Sequence, residues 1–316
     1  MKKVQVIITG MALLLIPYLM LKASGYNYNP NEQKELHNKL KDTVYYVSKE
    51  ESYGIRFIPM EEYLIGLTAA NAAVTYEDEM LKAQIVLMRS SIIHYADETV
   101  KEPYGNKKYI FAKAEELGLN YYEDKDMQRL WGKHYAENYE RIANLVLATK
   151  GIYAAYEDEA VEGAFFKLSG GKTRGNVESL GYLTPVDCTN DIYSEEFVSR
   201  VTYENKEFAD VFMENLNIEV LPEDFEVVTR DESGYVTKVK AGGYHMPGED
   251  VRLALSLPSA NYEMEFTINS VTFIVYGQGH GFGMSQYEAN AMAINGSDYK
   301  DIIGYFFYNT AIKKIE

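Results

Sequence analysis

The sequence YGQGHGFGMSQYEANAMAING (residues 276–296) places glycine at positions 277, 279, 281 and 283, with one histidine, His280, among them. Glycine at every second position of a strand leaves one face of that strand without side chains. That face can lie against a flat ligand or against another backbone. Alternatively, Gly281 and Gly283 only permit tight packing, and His280 is a core residue whose hydrogen bonds are satisfied within the protein. The spacing alone leaves both interpretations open.

The same stretch lacks the patterns of phosphate-binding and nucleophile loops. A dinucleotide fingerprint needs glycine five residues after its first glycine, and Phe282 and Met284 stand at those positions. There is no G-x-x-x-x-G-K-[ST] sequence, and the nucleophile pattern G-x-S-x-G is also missing. His280 has neither a cysteine nor a carboxylate beside it in the sequence. We therefore expect no metal ion and no cofactor.

Composition excludes several classes of protein. The chain has 316 residues and a formal net charge of −16, which argues against nucleic-acid binding because that needs a cationic surface. Cys188 is the only cysteine, so an intramolecular disulfide and a cysteine-rich zinc site are both excluded.

The N-terminus predicts an exported protein. The sequence MKK is followed by an uncharged apolar segment, residues 4–21, whose length lies between a signal-peptide core and a full membrane span. We expect residues 1–24 to form an uncleaved, single-pass transmembrane anchor in the cell membrane. Residues 25–50 are polar and predict a linker with a short helix. Residues 51–316 then form one domain outside the cytoplasm.

Periodicity predicts helices first and β-hairpins later. Residues 61–71 have an apolar stripe of helical spacing that ends at Asn71. Thr75 and Asp78 form a capping-box pattern before a second helix, and a third helix is expected over residues 127–149. Further predicted elements are hairpins in residues 151–171, 225–243 and 264–277, a helix capped by Ser285 and Glu288, and a short final helix. This order indicates an α+β domain, with N-terminal helices packed against β-hairpins.

Three blocks, in their order, resemble the stage II sporulation protein D (SpoIID/LytB) family. They are EEYLIGLTAANAAVTYEDEMLKAQIVLMRSS (residues 61–91), SGGKT (residues 169–173) and GQGHGFGMSQYEANAMAINGSDYKDIIGYFF (residues 277–307). The resemblance covers most of residues 51–315. It implies a membrane-tethered protein that remodels peptidoglycan while the forespore is engulfed.

The resemblance also implies a chemistry and partners. Sporulation members are lytic transglycosylases, which cleave between N-acetylmuramic acid and N-acetylglucosamine and leave a 1,6-anhydro end. Their substrate is glycan from which a partner amidase has removed the stem peptides, and relatives outside sporulation are described as amidase enhancers. A glycan-binding groove between the helices and the hairpins is expected. The residues that the resemblance implies bind the substrate are Arg89, Ser169, Gly170, Gly171, Lys172, Thr173, Gly279, His280, Gly281, Gly283, Ser285 and Gln286.

This chain departs from the family at the catalytic position. The family has a glutamate in a context such as AAEMPA, whereas this chain reads AANAAV, with Asn71 at the glutamate position. An amide does not titrate usefully, so Asn71 cannot act as a general acid. It can bind a sugar hydroxyl or acetamido group, or it can simply end its helix with its hydrogen bonds satisfied by the backbone. Glu77 and Glu79 are candidate substitutes, although their ordinary role is to complement the dipole of the next helix.

Other departures point the same way. Phe166 replaces a histidine that some members use with cysteines to bind zinc, Arg174 stands where an acidic residue is common, and Glu288 stands where glycine is common. The sequence therefore favours a glycan-strand binder whose lytic activity is lost or weak. Two alternatives stay open: an active lytic transglycosylase with a substitute carboxylate, and an amidase enhancer or protein-interaction scaffold.

Overall fold

The structure, a computed structural model, describes residues 30–96, 98–101, 108–175 and 180–315. The chain divides into two compact units, an N-terminal unit (residues 1–162 and 312–316) and a C-terminal unit (residues 163–311). Within the described ranges, no helix combines the length and the apolarity needed to cross a membrane. The predicted anchor, residues 1–24, lies outside them.

The N-terminal unit packs helices against small sheets. Its helices are α1 (Pro30–Lys41), α2 (Met60–Asn71), α3 (Asp78–His94), α4 (Asp124–Trp131) and α5 (Tyr135–Ala148). Its strands are β1 (Tyr45–Glu51), β2 (Gly54–Pro59), β3 (Glu98–Lys101), β4 (Lys108–Lys113), β5 (Ile152–Tyr156) and β6 (Glu159–Ala160). One sheet has the order β2-β1-β4-β3, with β1 parallel to β4, and the final strand of the chain (Ala311–Lys314) joins β5 and β6. Helix α1 and most of β1 therefore lie in the segment expected to be a linker.

The C-terminal unit is built mainly of antiparallel strands. Its strands are β7 (Phe165–Phe166), β8 (Val198–Glu204), β9 (Phe225–Arg230), β10 (Val236–Ala241), β11 (Tyr244–Pro247), β12 (Tyr262–Phe266), β13 (Ser270–Tyr276) and β14 (Met284–Ser285). Its helices are α6 (Asn205–Leu216), α7 (Gly248–Ala254), α8 (Gln286–Ile294) and α9 (Tyr299–Phe306). The sheets are β11-β10-β9 and β12-β13-β8, and β14 pairs with β7 in parallel. Their shared core contains the clustered rings of Phe208, Phe212, Phe225 and Phe273.

The predicted α+β class is confirmed, and most local predictions hold. Helix α2 occupies residues 60–71. The apolar face predicted for α3 is buried, since Leu81, Ile85, Met88 and Ile92 are all 0% exposed. The hairpins β5–β6, β9–β10 and β12–β13 lie where they were predicted. These elements follow from the local alternation of apolar and polar residues, which tertiary contacts do not override.

Two helix boundaries were predicted wrongly. Helix α3 begins at Asp78 after Glu77, so Thr75 does not cap it. Arg141 donates to the carbonyl oxygens of Val74 and Tyr76, which keeps that segment out of the helix. The helix expected over residues 127–149 is instead α4 and α5, separated by a 3-10 turn that starts at Gly132. Gly132 has φ 51°, a left-handed conformation that favours glycine and ends α4.

Candidate functional site

Asn71, expected from the resemblance to stand at the catalytic position, is the last residue of α2. Its side-chain Nδ2 donates to the carbonyl oxygen of Leu67 at 2.8 Å and to that of Asn120 at 2.7 Å. Its main-chain carbonyl accepts a hydrogen bond from Gln84 Nε2 at 3.2 Å. The half-buried Asn71 thus ends the helix, and its side-chain nitrogen donates to main-chain carbonyls. This agrees with the interpretation in which Asn71 ends its helix with its hydrogen bonds satisfied by the backbone.

Residues 118–123, here called the crossing segment, lie across α2 next to Asn71. The Tyr122 N–H donates to the Gly66 carbonyl at 3.2 Å, and the Tyr121 ring stacks on Tyr63 with 4.3 Å between centroids. A Cβ atom at position 66 would collide with the Tyr121 ring, so the crossing requires glycine there. Glu123 closes the segment through ion pairs at 2.7 Å with Lys49 and Arg56. Asn71 is therefore one of several anchors for the crossing segment.

Glu77 and Glu79, the candidate substitute carboxylates, stand at the start of α3. Glu77 is exposed and immediately precedes the helix. Glu79 forms an ion pair with Lys82 at 2.6 Å. Negative charge at a helix N-terminus complements the helix dipole, which accounts for both residues without a catalytic role.

Arg89, predicted to bind substrate, is inside the N-terminal unit. Its side chain is 0% exposed, and its guanidinium contacts Glu61 through Nη2–Oε2 at 2.7 Å and Nε–Oε1 at 3.2 Å. Nη1 also donates to the Ile152 carbonyl at 2.9 Å. Because every side of the guanidinium faces protein, the geometry assigns Arg89 to holding α2, α3 and β5 together.

In the C-terminal unit the central and C-terminal sequence blocks lie side by side. Leu168 and Gln278 exchange main-chain hydrogen bonds of 3.1 and 2.7 Å, and the Arg174 N–H donates to the Gly281 carbonyl at 2.7 Å. The four glycines have φ values of 75°, 115°, 85° and 76°, so the loop is not the strand that we expected. A Cβ at Gly277 or Gly279 would come within 2.6 Å of the neighbouring segment, at Leu168 O or Phe166 Cβ. Gly277 and Gly283 therefore meet the protein's own backbone, one of the two partners predicted for the glycines, whereas Gly279 and Gly281 meet the side chains of Phe166 and Tyr235.

His280 is held by two hydrogen bonds that fix its tautomer. Its Nδ1 accepts from the Phe282 N–H at 3.1 Å, so the ring proton lies on Nε2, which donates to the Phe165 carbonyl at 3.1 Å. Burial lowers the pKa of His280 below its usual 6.5. A neutral ring with both nitrogens engaged organises the loop and has no lone pair left for a metal ion or a proton.

Most of the other motif side chains are buried. Ser169, Thr173 and Ser285 are at most 1% exposed, and Gln286 is 6% exposed. The Ser169 hydroxyl accepts from the Gly171 N–H at 3.0 Å, and the Gly170 N–H donates to the Tyr235 hydroxyl at 3.2 Å. Lys172 is only half-buried. Of these positions, therefore, Lys172 and the half-buried glycines are the ones that can reach a ligand from the surface.

Asp191 connects the two motifs, although no pattern in the sequence pointed to it. Its Oδ2 accepts from the Ser169 N–H at 2.8 Å and from the Ser285 hydroxyl at 2.7 Å. Its Oδ1 is buried and has no hydrogen-bond partner among the described residues. Burial raises the pKa of Asp191 to about 6, although hydrogen bonds from Ser169 and Ser285 favour its charged form. Asp191 follows no recognisable spacing, so only the fold reveals its role.

Glu288 was predicted to complete a capping box, and half of that box forms. Ser285 caps α8 by accepting from the Glu288 N–H. The Glu288 carboxylate instead accepts from the Asn190 N–H and from Asn190 Nδ2, both at 2.7 Å. This contact ties α8 to the turn that carries Asp191.

We expected no zinc site because Phe166 replaces a histidine and Cys188 is the only cysteine. Phe166 is buried, and its ring centroid lies 5.6 Å from that of His280. Cys188 is buried, which raises the pKa of its thiol well above the usual range. Across the described ranges, no three His, Cys, Asp or Glu residues are grouped so as to hold a metal ion.

Comparison with known proteins confirms the family resemblance. Residues 48–156 match the SpoIID family model, described as Stage II sporulation protein. The chain is 27% identical to Stage II sporulation protein D of Bacillus amyloliquefaciens over 96% of this chain and 91% of that protein. It is 28% identical to Stage II sporulation protein D of Bacillus subtilis (strain 168), over 85% of this chain and 79% of that protein. An uncharacterized protein of Brachyspira hyodysenteriae is 24% identical over 81% of this chain and 69% of its own length.

Proposed function

Because the chain resembles the stage II sporulation protein D family over most of its length, we propose that it is a sporulation protein that binds peptidoglycan glycan strands lacking stem peptides. It has lost, or nearly lost, the lytic cleavage that the resemblance implies. It acts outside the cytoplasm, tethered to the cell membrane by residues 1–24, beside a cell-wall amidase that supplies the stripped glycan.

The hydrogen bonds of Asn71 carry the proposed loss of cleavage. Two main-chain carbonyls, of Leu67 and Asn120, accept from one amide nitrogen at 2.8 and 2.7 Å. An ionised carboxylate only accepts hydrogen bonds, so it would oppose both carbonyl oxygens in the same orientation. Losing a general acid costs roughly 10²–10⁴-fold in rate. Asn71 thus holds the crossing segment beside α2, and it cannot supply the acid.

A second candidate function is an active enzyme, and Glu62 is the residue that favours it. Glu62 lies in the first turn of α2, and its Oε2 is buried with no hydrogen-bond partner among the described residues. Burial raises the pKa of the Tyr121 and Tyr139 hydroxyls, and the nearby charge of Glu62 makes a smaller contribution in the same direction. A carboxylate with an unsatisfied oxygen is a better substitute acid than Glu77 or Glu79, which serve the N-terminus of α3.

Turnover and binding by the full chain test the two candidates together. Wild type, Asn71→Glu and Glu62→Gln are incubated with stem-peptide-free glycan strands, and 1,6-anhydro ends are measured by mass spectrometry. Co-sedimentation with the same strands measures binding. Asn71→Gln is the control, because it keeps an amide but lengthens the side chain.

We expect the wild type and Asn71→Gln to bind without cutting. Cutting by Asn71→Glu alone would show that only the acid was missing. Cutting by the wild type would overturn the proposed loss of activity, and its disappearance in Glu62→Gln would identify the substitute acid. Failure of the wild type to bind strands would overturn the glycan role altogether and leave a protein-interaction scaffold.

A further inference from the structure

A cavity of about 540 Å³ lies in the C-terminal unit beside the paired motifs. Its lining includes Arg174, which follows the central block, and Phe282, from the glycine loop. Asp231 and Ser233, from the turn between β9 and β10, and Thr237 of β10 also line it. Its volume falls within the range typical of small-ligand sites. We call it the Arg174 pocket.

The guanidinium in this pocket is held rigidly. Arg174 Nε donates to Asp231 Oδ2 at 2.7 Å, and the guanidinium carbon lies 4.5 Å from the Phe282 ring centroid and 5.1 Å from that of Tyr235. Asp231 is itself fixed, because its Oδ1 accepts from the N–H groups of Ser233 at 3.1 Å and Tyr235 at 3.0 Å. A planar donor group that is ion-paired and lies over two rings has lost most of its freedom before any ligand arrives.

Among the described residues, the partners of Arg174 leave the terminal nitrogens of its guanidinium, here called the outer end of the fork, available. Nε is committed to Asp231, and Nη1 makes one long contact, 3.4 Å, to the His280 carbonyl. A guanidinium carries five N–H donors, so its terminal groups are not saturated by the described residues. The Arg174 side chain keeps 12% of its surface exposed, at the wall of the cavity. The pocket therefore offers hydrogen-bond donors next to an aromatic ring.

The charges around the pocket decide against an anionic ligand. The lining of the pocket contains one arginine and two acidic residues, Asp231 and Glu232, and Asp231 already pairs with Arg174. A phosphate or a free carboxylate would have to approach an excess of negative charge. The favoured ligand is uncharged, with a carbonyl for Arg174, a donor for the acidic and hydroxyl side, and a small apolar group for Phe282.

An acetamido group has all three features on one planar unit: a carbonyl oxygen, an N–H and a methyl. We propose that the Arg174 pocket is a subsite for an N-acetylglucosamine unit of the strand, in which Arg174 donates to the acetamido carbonyl and Phe282 contacts the methyl and the sugar ring. The N-acetylmuramic acid units of a stem-peptide-free strand carry a free lactyl carboxylate, which the acidic lining disfavours. This inference rests on the proposed glycan-binding function and names the group by which the strand is recognised. Peptidoglycan strands and chitin oligomers both carry that group, so both are used as probes.

Isothermal titration of the full chain compares three probes: chitotetraose, cellotetraose and stem-peptide-free glycan strands. The two tetraoses are neutral and share β-1,4 links, but only chitotetraose has acetamido groups. We expect chitotetraose to bind the wild type at least about tenfold more tightly than cellotetraose, because a hydrogen bond to a charged donor has about that effect. Binding of chitotetraose but not of glycan strands would assign the pocket to a chitin-type ligand and contradict its peptidoglycan role.

Variants then locate the binding. Arg174→Lys keeps the charge but removes the planar fork, and Phe282→Leu keeps an apolar group but removes the ring. Each should weaken chitotetraose binding about tenfold or more. Arg200→Lys is the matched control, since Arg200 forms an exposed ion pair with Glu265 in β8 of the same unit. The unfolding midpoint of each variant is measured, so that a misfolded protein is recognised.

The outcomes separate this inference from the proposed function. If strands bind but both pocket variants bind them as tightly as the wild type, the subsite is elsewhere and the inference is wrong, while the glycan role stands. If cellotetraose binds as tightly as chitotetraose, acetamido recognition is wrong. If none of the three probes binds, the inference and the proposed function fall together.

Discussion

The buried pair Arg89–Glu61 gives the sharpest quantitative prediction. The two side chains are 0% and 1% exposed, and Glu61 Oε1 also accepts from the Gly151 N–H at 3.2 Å. Replacing Arg89 by methionine removes the cation and leaves the Glu61 carboxylate buried without its partner. Breaking a buried pair in this way costs about 3–5 kcal/mol. For a unit of this size that corresponds to a fall in Tm of roughly 6–20 °C.

A double variant that removes both charges of the pair is a second test of the same reasoning. In Glu61→Leu/Arg89→Met no buried charge is left unpaired, so the double variant should be more stable than Arg89→Met. It should not reach the wild type, because the Gly151 N–H and the Ile152 carbonyl lose their partners. Each such buried group costs about 1–3 kcal/mol.

Urea unfolding followed by tryptophan fluorescence is the assay. Trp131 is the only tryptophan of the chain and lies buried in the N-terminal unit, so its signal reports that unit. Lys82→Met is the control on the same helix, because its ion pair with Glu79 is partly exposed and should be worth less than about 1 kcal/mol. If Arg89→Met unfolds at the same urea concentration as the wild type but binds glycan more weakly, Arg89 contacts substrate and the assignment made here is refuted.

Three further predictions concern the C-terminal unit. The raised pKa of Asp191, about 6 against an ordinary 3.8, adds stability that is complete below pH 3.8 and lost as the pH rises through 6. Between pH 4 and pH 7.5 the free energy of unfolding of Asp191→Asn should therefore rise relative to that of the wild type by about 2.5 kcal/mol, and parallel pH–stability curves would contradict this. Gly283→Ala should lose about 1–3 kcal/mol or more, because φ is 76° and the new Cβ would collide with the Ala164 carbonyl. Gly296→Ala, with φ 95° and open space around it, is its control for the strain of the backbone alone. The pKa of His280 should lie below 6.5 when the ring is titrated by ¹⁵N NMR, and the neutral ring should carry its proton on Nε2; this lowered pKa gives stability that is lost as the pH falls below 6.5. A titration midpoint at or above 6.5 would contradict the assignment.

The elements that the sequence predicted well are those set by neighbours along the chain. The apolar face of α3 and the β5–β6 turn are local patterns, the latter with Glu157 and Asp158 at φ 49° and 72°, as a two-residue hairpin requires. The errors came from distant residues. Arg141 keeps the segment before α3 out of the helix by donating to two carbonyls that precede Arg141 by more than sixty positions. No window of local sequence contains that contact.

The candidate site divides in the same way. Its motif positions could be found because glycines and a histidine at fixed spacing are visible in one stretch, and the resemblance supplied the meaning of Asn71. Asp191 and Asn190 could not be found, since each meets its partner in the C-terminal block across 94 or 98 residues. The burial of Arg89 was hidden for the same reason, because Glu61 lies 28 residues away on another helix.

The glycine loop shows why a retained motif is not by itself a retained binding site. Each of its four glycines has a positive φ, and each closely approaches another part of the C-terminal unit, so the fold alone requires them. The same holds for His280, whose two nitrogens serve the loop. Glycan binding must therefore be tested at side chains that the fold leaves partly exposed. Phe282 and the outer end of Arg174 meet that condition, and a variant there can lose the ligand while the motif and the fold stay intact.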